Sequence, residues 1–329
     1  MQKRYRDIIR LMLTAALIWP AANLPTWAQL PQYQLSRIME QEGLSTAEVI
    51  GMAMDNRGHL WIATQAKVQR FDGRHTTPFY FDETIYQLFI DSRDRIWVTT
   101  TLYVYCLSEG SAQFEKKQMD IVQGETPLRV FERRGAGLMM QGSQRIYRYD
   151  EQKGSFSTQA AGPAIKDTRF LRFFASNDRT EYYSTASGIL RYDPAADRVD
   201  PFPFTSLQTL QTLGNEGAIV STYLFTSYWL GEDGREPIPI RSAKGNRRDP
   251  LLIYHAVLFR GHQYLVSTNR GLLLFDTHTQ QLSEPVFYYK GEPLRDPNAA
   301  KFLYRSYDGT LFICHADGIY FFRPDQRSI

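Results

Sequence analysis

Six histidines (His59, His75, His255, His262, His278 and His315) and two cysteines (Cys106 and Cys314) are the side chains on which metal or nucleophilic chemistry in this 329-residue chain would have to rest. A structural or catalytic metal draws two or more such side chains, often with a carboxylate, onto one ion at about 2.0–2.3 Å. His255 and His262 straddle a turn, which would set them on adjacent strands, but no carboxylate is spaced to join them. No metal is expected. A nucleophilic cysteine needs a base beside it. His315 adjoins Cys314, yet successive residues of a strand point to opposite faces, so the two do not converge. Cys-x-x-Cys, His-Glu-x-x-His, Gly-x-Ser-x-Gly and a phosphate-cradling glycine loop are all missing from the sequence. The chain is read as a non-enzyme without a cofactor.

The elements that must position any site come from a repeat. Asp55-Asn56-Arg57-Gly58-His59-Leu60-Trp61-Ile62-Ala63-Thr64, closing with Arg70-Phe71-Asp72-Gly73, reads as a polar turn, an apolar strand, a loop and a second strand. Further copies start at Asp91 (with Trp97) and Asp308 (with Phe312). The slot held by Trp61 is filled again by Trp97, Met139, Tyr182, Val220, Leu265 and Phe312, at intervals of 36, 42, 43, 38, 45 and 47 residues. Ten residues after each come Phe71, Leu107, Tyr149, Tyr192, Leu230, Phe275 and Phe322. That period belongs to the four-stranded blade of a β-propeller.

The expectation is therefore an all-β chain forming a single seven-bladed β-propeller with four-stranded blades, and almost no helix. With 20 Tyr, 20 Phe and 5 Trp, the composition suits pleated, half-buried surfaces. The first blade is expected over 49–54, 60–64, 68–71 and 77–81. The seventh unit offers strands near 302–306, 311–315 and 319–322 but no outer one, whereas 33–39 alternates like a strand with no unit of its own. The N-terminal strand is expected to close the last blade, removing an open sheet edge. Cys106 and Cys314 fall in non-neighbouring units, too far apart for a disulfide, and are read as buried free thiols.

Residues 1–28 stand apart as a secretory signal peptide. A basic start (Lys3, Arg4, Arg6, Arg10), a short apolar run over 11–19 and small residues near Ala28 predict cleavage before Gln29. The run is broken by Pro20, Asn23 and Pro25 and is too short to span a bilayer. The propeller then occupies 29–329, with no membrane span, and the mature chain is periplasmic or secreted. Residues 1–28 hold four of the 38 basic residues and one of the 35 acidic ones, leaving 34 of each. A neutral chain has no footprint for nucleic acid.

The motifs resemble the two-component regulator propeller repeat, whose pattern appears here as Asp55, Gly58, Leu60-Trp61-Ile62-Ala63-Thr64 and Arg70-Phe71-Asp72, with Glu42-Gly43-Leu44-Ser45 similar to that family's lead-in. The resemblance is specific for the first two units and covers about residues 32–326. It implies the sensor region of bacterial hybrid two-component receptors, which detect carbohydrates, and therefore a small-molecule or glycan ligand and a membrane signalling partner. A kinase or DNA-binding output, a β-sandwich and a spanning helix, which accompany such propellers in the family, have no counterpart in this sequence. Two alternatives accompany this reading: a protein-interaction platform of the cell envelope, and an enzyme resembling the propeller-fold streptogramin lyases.

Propeller loops between the second and third strand of each blade crowd one end of the central channel, and ligand sites favour such concavities with convergent polar groups. Those slots hold Gln65, Lys67, Thr101, Tyr103, Gln144, Arg145, Ser187, Asn269, Arg270, His315 and Asp317, which form the candidate ligand site. Tyrosine offers a stacking face and arginine a forked donor. Two polar connections, 247–250 and 295–298, are expected to rim that end. Arg133 and Arg134, at the other end, are read as serving solubility.

Overall fold

A computed structural model describes residues 32–38, 44, 48–158, 163–165, 168–171, 174–224, 226–232, 236–241, 251–294, 300 and 302–325. The expected export segment 1–28 with its expected cleavage point, the lead-in residues Glu42, Gly43 and Ser45, and the polar connections 247–250 and 295–298 lie outside them.

The Asp-to-Trp spacing has a direct physical meaning. In blade 1 the Asp55 carboxylate closes the turn before the second strand. Its Oδ1 accepts the Arg57 and His59 N–H groups (3.1 and 2.9 Å), and its Oδ2 accepts the indole N–H of Trp61 at 2.9 Å. Asp91 repeats this in blade 2 with Arg93, Arg95 and the Trp97 indole (2.8 Å). One carboxylate thus fixes both the turn and the rotamer of the largest core side chain.

The turns join strands into seven sheets, antiparallel within each blade's own hairpins, arranged as a seven-bladed propeller. Blade 1 comprises Gly51–Met54, Leu60–Ala63, Lys67–Phe71 and Thr76–Tyr80, within a residue or two of expectation. The second strands of blades 2 to 7 are Ile96–Thr100, Gly137–Gly142, Glu181–Thr185, Gly217–Thr222, Gln263–Thr268 and Leu311–His315. These strands are buried on both faces because each sheet is sandwiched between two others, so simple in-out alternation is lost. The described residues contain one 3-10 turn, Pro163–Ile165, and no α-helix.

Seven apolar clusters sit at the seven blade-to-blade interfaces. Trp61 and Ala63 pack with Ile85, Leu88 and Val98 between blades 1 and 2. Trp97 packs with Val130, Leu138 and Met140 between blades 2 and 3. The ring closes where Phe312, Cys314 and Ile319 of blade 7 meet Leu60, Ile62 and Phe71 of blade 1. Cys106 and Cys314 are free and buried in different interfaces. Burial pushes the Cys106 thiol up to about 11, so it stays protonated near neutrality.

One slot needs correction. In blade 5 the side chain facing the next blade is Ile219, which packs with Tyr264 and Val266; Val220 faces back toward Tyr182 of blade 4. The cause is local. The hairpin closes from the Thr222 N–H to the Thr226 carbonyl, one residue more than the Thr64–Lys67 closure of blade 1.

The N-terminal strand Gln32–Ile38 pairs antiparallel with the third strand of blade 7, Gly318–Phe322, through Ser36–Phe321, Arg37–Tyr320 and Ile38–Ile319. Its other edge carries a strand the sequence did not announce. Val286–Tyr289, in the connection from blade 6, pairs with it in parallel from Gln32–Val286 to Leu35–Tyr289. Blade 3 is extended likewise, with Gln118–Asp120 parallel to its outermost strand Ser155–Thr158. Two blades therefore exceed four strands.

Arg133 is not a solubility residue. Its guanidinium grips Glu181 of blade 4 through two bonds of 2.6 and 2.7 Å, with 15% of the Arg133 and 3% of the Glu181 side chain exposed. Arg134 is exposed, as expected.

Candidate functional site

The loops between second and third strands share one construction. Thr64 donates its N–H to the Lys67 carbonyl at 2.9 Å, and its hydroxyl accepts the Lys67 N–H at 3.3 Å. Thr100 repeats the arrangement with Tyr103 at 2.8 and 3.0 Å. Thr185, Thr222 and Thr268 hold the same slot, each donating its hydroxyl to a carbonyl across the loop. The following residue reaches back to the entry of its own blade: Thr101 N–H to Thr84, Tyr223 to Ser206 and Asn269 to Leu252. A hydroxyl one carbon from the backbone closes such a turn locally. The loops are short and fixed, and all open at the same end of the ring.

All eleven candidate residues lie at that end, but they do not all face one point. The Tyr103 ring lies under the Lys116 ammonium, 3.3 Å from its centroid. Lys116 is on the outermost strand of blade 2, so Tyr103 turns away from the channel. Asp317 turns outward as well. Arg37, on the clasping strand, lies over the Tyr320 ring and pairs with the Asp317 carboxylate at 3.7 Å. His315 occupies the slot held by threonine in five other blades and by Gly142 in blade 3. It is buried, and its Nδ1 contacts the Asp317 carboxylate. Burial would raise the Asp317 carboxyl, but hydrogen bonds from His315 and Tyr320 (3.0 Å) outweigh it and leave its pKa below the ordinary value.

The others vary in freedom. The Asn269 side-chain oxygen accepts the Leu252 N–H at 2.9 Å, and the Gln65 carbonyl accepts the Ile85 N–H at 2.9 Å. The Ser187 hydroxyl lies 3.1 Å from that of Thr185. Gln144 and Arg145 are exposed, and Lys67, Thr101 and Arg270 are half-buried. These loops present amides, hydroxyls and cations on a backbone already fixed by hydrogen bonds.

A feature missed in the sequence is the apolar material at the same end. Seven large apolar side chains are exposed among the described residues, and five of them sit here: Tyr80 (74%), Leu102 (57%), Leu171 (47%), Tyr223 (62%) and Leu224 (70%). Leu102, Tyr223 and Leu224 occupy the loops themselves, beside Thr101 and after Thr222. Apolar residues in turn slots, where polar ones are usual, are the signal that could have found them.

The histidines regroup. His255 does not meet His262. It lies on the innermost strand of blade 6, its ring centroid 4.3 Å from that of Phe302 of blade 7 in a tilted contact. Burial, with a further contribution from the Arg129 charge, pushes its pKa down to about 4, and its Nδ1 has no hydrogen-bond partner among the described residues. His262 instead meets His278 and Glu216, a grouping that the sequence reading did not single out. Glu216 and His262 fill the same turn in consecutive blades, 46 residues apart, and the repeat period was the signal for it.

A groove of about 730 Å³ runs between blades 7 and 1, floored by Met54, Leu60, Phe71, Phe312 and Phe321 and edged by the short side chains Gln34 and Ser36. None of the eleven loop residues lines it. No helix among the described residues is long and apolar enough to cross a membrane.

The sequence matches no family model and no curated protein. Among solved structures the chain is similar to the extracellular domain assigned to a hybrid two-component system of B. thetaiotaomicron, with a TM-score of 0.66 and 15% identity over 88% of this chain and 41% of that one. It is similar to the extracellular domain assigned to a one-component system of the same organism, with a TM-score of 0.68 and 13% identity over 91% and 44%. Virginiamycin B lyase from Staphylococcus aureus also shares the fold, with a TM-score of 0.64 and 12% identity over 88% and 98%. The chain thus spans less than half of each of the two extracellular domains. At such identities the likeness is one of fold, and that fold is a seven-bladed propeller shared with extracellular domains of bacterial signalling systems.

Proposed function

We propose that this chain is an exported binding propeller of the sensor type, with residues 1–28 as its export signal and the loop end of the ring as its recognition face. The observation that carries this reading is the placement, at that end, of five of the seven large apolar side chains exposed among the described residues. A single exposed apolar residue is ordinary, but their gathering at one end supports an interaction surface there, and they share that end with Lys67, Arg145 and Arg270. Aromatic faces and forked donors suit a small carboxylated molecule or a glycan, and a membrane signalling protein is the expected partner. The resemblance of the repeat motifs and the likeness to extracellular domains of signalling systems support it.

A thermal-shift screen of the mature chain against an oligosaccharide panel tests this. A ligand at a hundred times its Kd adds about 2.7 kcal/mol to stability, a shift of several degrees. A panel without any shift would count against a glycan ligand. The second reading, a platform for an envelope protein, is favoured by Leu102 and Leu224, whose aliphatic side chains suit a protein partner better than a sugar. Capture of one envelope protein, lost in a Leu102→Asp/Leu224→Asp variant, would support that reading. The lyase reading rests on fold alone.

A further inference from the structure

The end of the ring opposite the loops carries a cluster that neither the repeat nor the proposed recognition face uses. Glu216 lies in the turn between the first two strands of blade 5. His262 lies in the corresponding turn of blade 6, and His278 in the turn between the last two strands of blade 6. One ligand atom from each lies within 4.8 Å of the others. His262 Nδ1 is 3.2 Å from Glu216 Oε1, and the two imidazole rings are stacked 3.5 Å apart at 22°.

The surroundings fix the turns that carry the two histidines and orient the Glu216 carboxylate. The Thr277 N–H donates to the His262 carbonyl at 3.0 Å, tying together the two turns that carry the histidines. The Asp276 carboxylate accepts the His278 and Thr279 N–H groups at 3.1 and 2.8 Å, which fixes the turn bearing His278. The Glu216 carboxylate takes hydroxyl donors on both oxygens, Tyr264 at 3.4 Å on Oε1 and Thr277 on Oε2. Metal-ligating carboxylates are oriented by outer hydrogen bonds of this kind. The Glu216 side chain is 27% exposed and that of His262 51%, so an ion has access from solvent.

We propose that Glu216, His262 and His278 form a binding site for a divalent transition metal of the zinc class, joining blade 5 to blade 6. Two imidazoles and one carboxylate are a set that zinc accepts, with water completing a tetrahedral shell. Alkaline-earth ions, which prefer all-oxygen cages, are disfavoured by the two nitrogens. Bringing the ligand atoms onto one ion needs rotation only of exposed histidine side chains, because the turns that bear them are already fixed.

The test is a titration of untagged, chelator-stripped mature chain with Co²⁺, followed by the visible d–d absorption, and with Zn²⁺ by calorimetry. The expected result is one equivalent bound per chain. His262→Ala/His278→Ala should abolish it, and Thr277→Ala, which removes only a supporting donor, should weaken it about tenfold. The more conservative His278→Asn guards against a folding defect and should also lose at least tenfold in affinity. Zinc should raise the melting midpoint of the unaltered chain and leave the double variant unmoved. Absence of a Co²⁺ spectrum, or binding that persists unchanged in the double variant, would overturn the proposal. Neither result bears on the loop-end face, where no metal is invoked.

Discussion

The Asp55 carboxylate accepts hydrogen bonds from two backbone N–H groups, the His59 ring and the Trp61 indole, all within one hairpin. Burial alone would raise its pKa, but the bonds from Trp61 and His59 outweigh that and hold it below the ordinary carboxylate value. Asp55→Ala strands the indole N–H of a Trp61 that is 2% exposed. The expected cost is about 1–3 kcal/mol, read as a lower urea midpoint at unchanged slope. Asp72→Ala, in an exposed turn, should move the midpoint less. His255 gives the pH dependence. Its pKa is pushed down to about 4, so between there and its ordinary value near 6.5 the unfolded chain binds the extra proton. That contribution to stability is complete above about pH 6.5 and is lost as pH falls toward 4. Denaturant midpoints at pH 7 and pH 5 should differ more for the unaltered chain than for His255→Gln. At this scale the sequence was readable where partners are close: Asp55 and Trp61 share a hairpin. It did not show that His315 is buried against Asp317 in the turn slot that threonine holds in five other blades.

The blade period was legible because each second strand must present large apolar groups to two neighbouring blades. The fifth blade misled by one residue because a longer loop shifts its second strand against the third. The parallel strands Gln118–Asp120 and Val286–Tyr289 could not be read, since three- and four-residue stretches in connections carry no period of their own. Their pairing is decided by which sheet edge lies beside them. For the clasp, the prediction is direct. Ser36→Pro removes the N–H of a residue paired with Phe321 and constrains a strand bonded on both edges. It should lower the melting midpoint and cause concentration-dependent association in size-exclusion chromatography, because it frees the edges of Gly318–Phe322 and Val286–Tyr289. A variant as stable and monomeric as the parent would show that the clasp does not close the ring.

Seven interfaces, each with its own apolar cluster, make the ring a scaffold held all the way round, whose two ends are free to diverge. One end is built from carboxylate-closed turns and carries the Glu216, His262 and His278 cluster. The other is built from loops closed by threonine in five of the seven blades and carries cations, amides and exposed apolar groups. The fold was legible in the sequence because core slots recur. The candidate loop residues were legible only as a set of positions, since the direction of Tyr103 and Asp317 depends on Lys116 and Arg37 from other strands. The central claim is that recognition occurs at the loop end. The most direct measurement compares the unaltered mature chain with Lys67→Glu/Arg270→Glu in calorimetric titration against the oligosaccharide giving the largest thermal shift. The account predicts at least a tenfold loss of affinity with an unchanged melting midpoint in the absence of ligand. Equal affinity in the two proteins would contradict it.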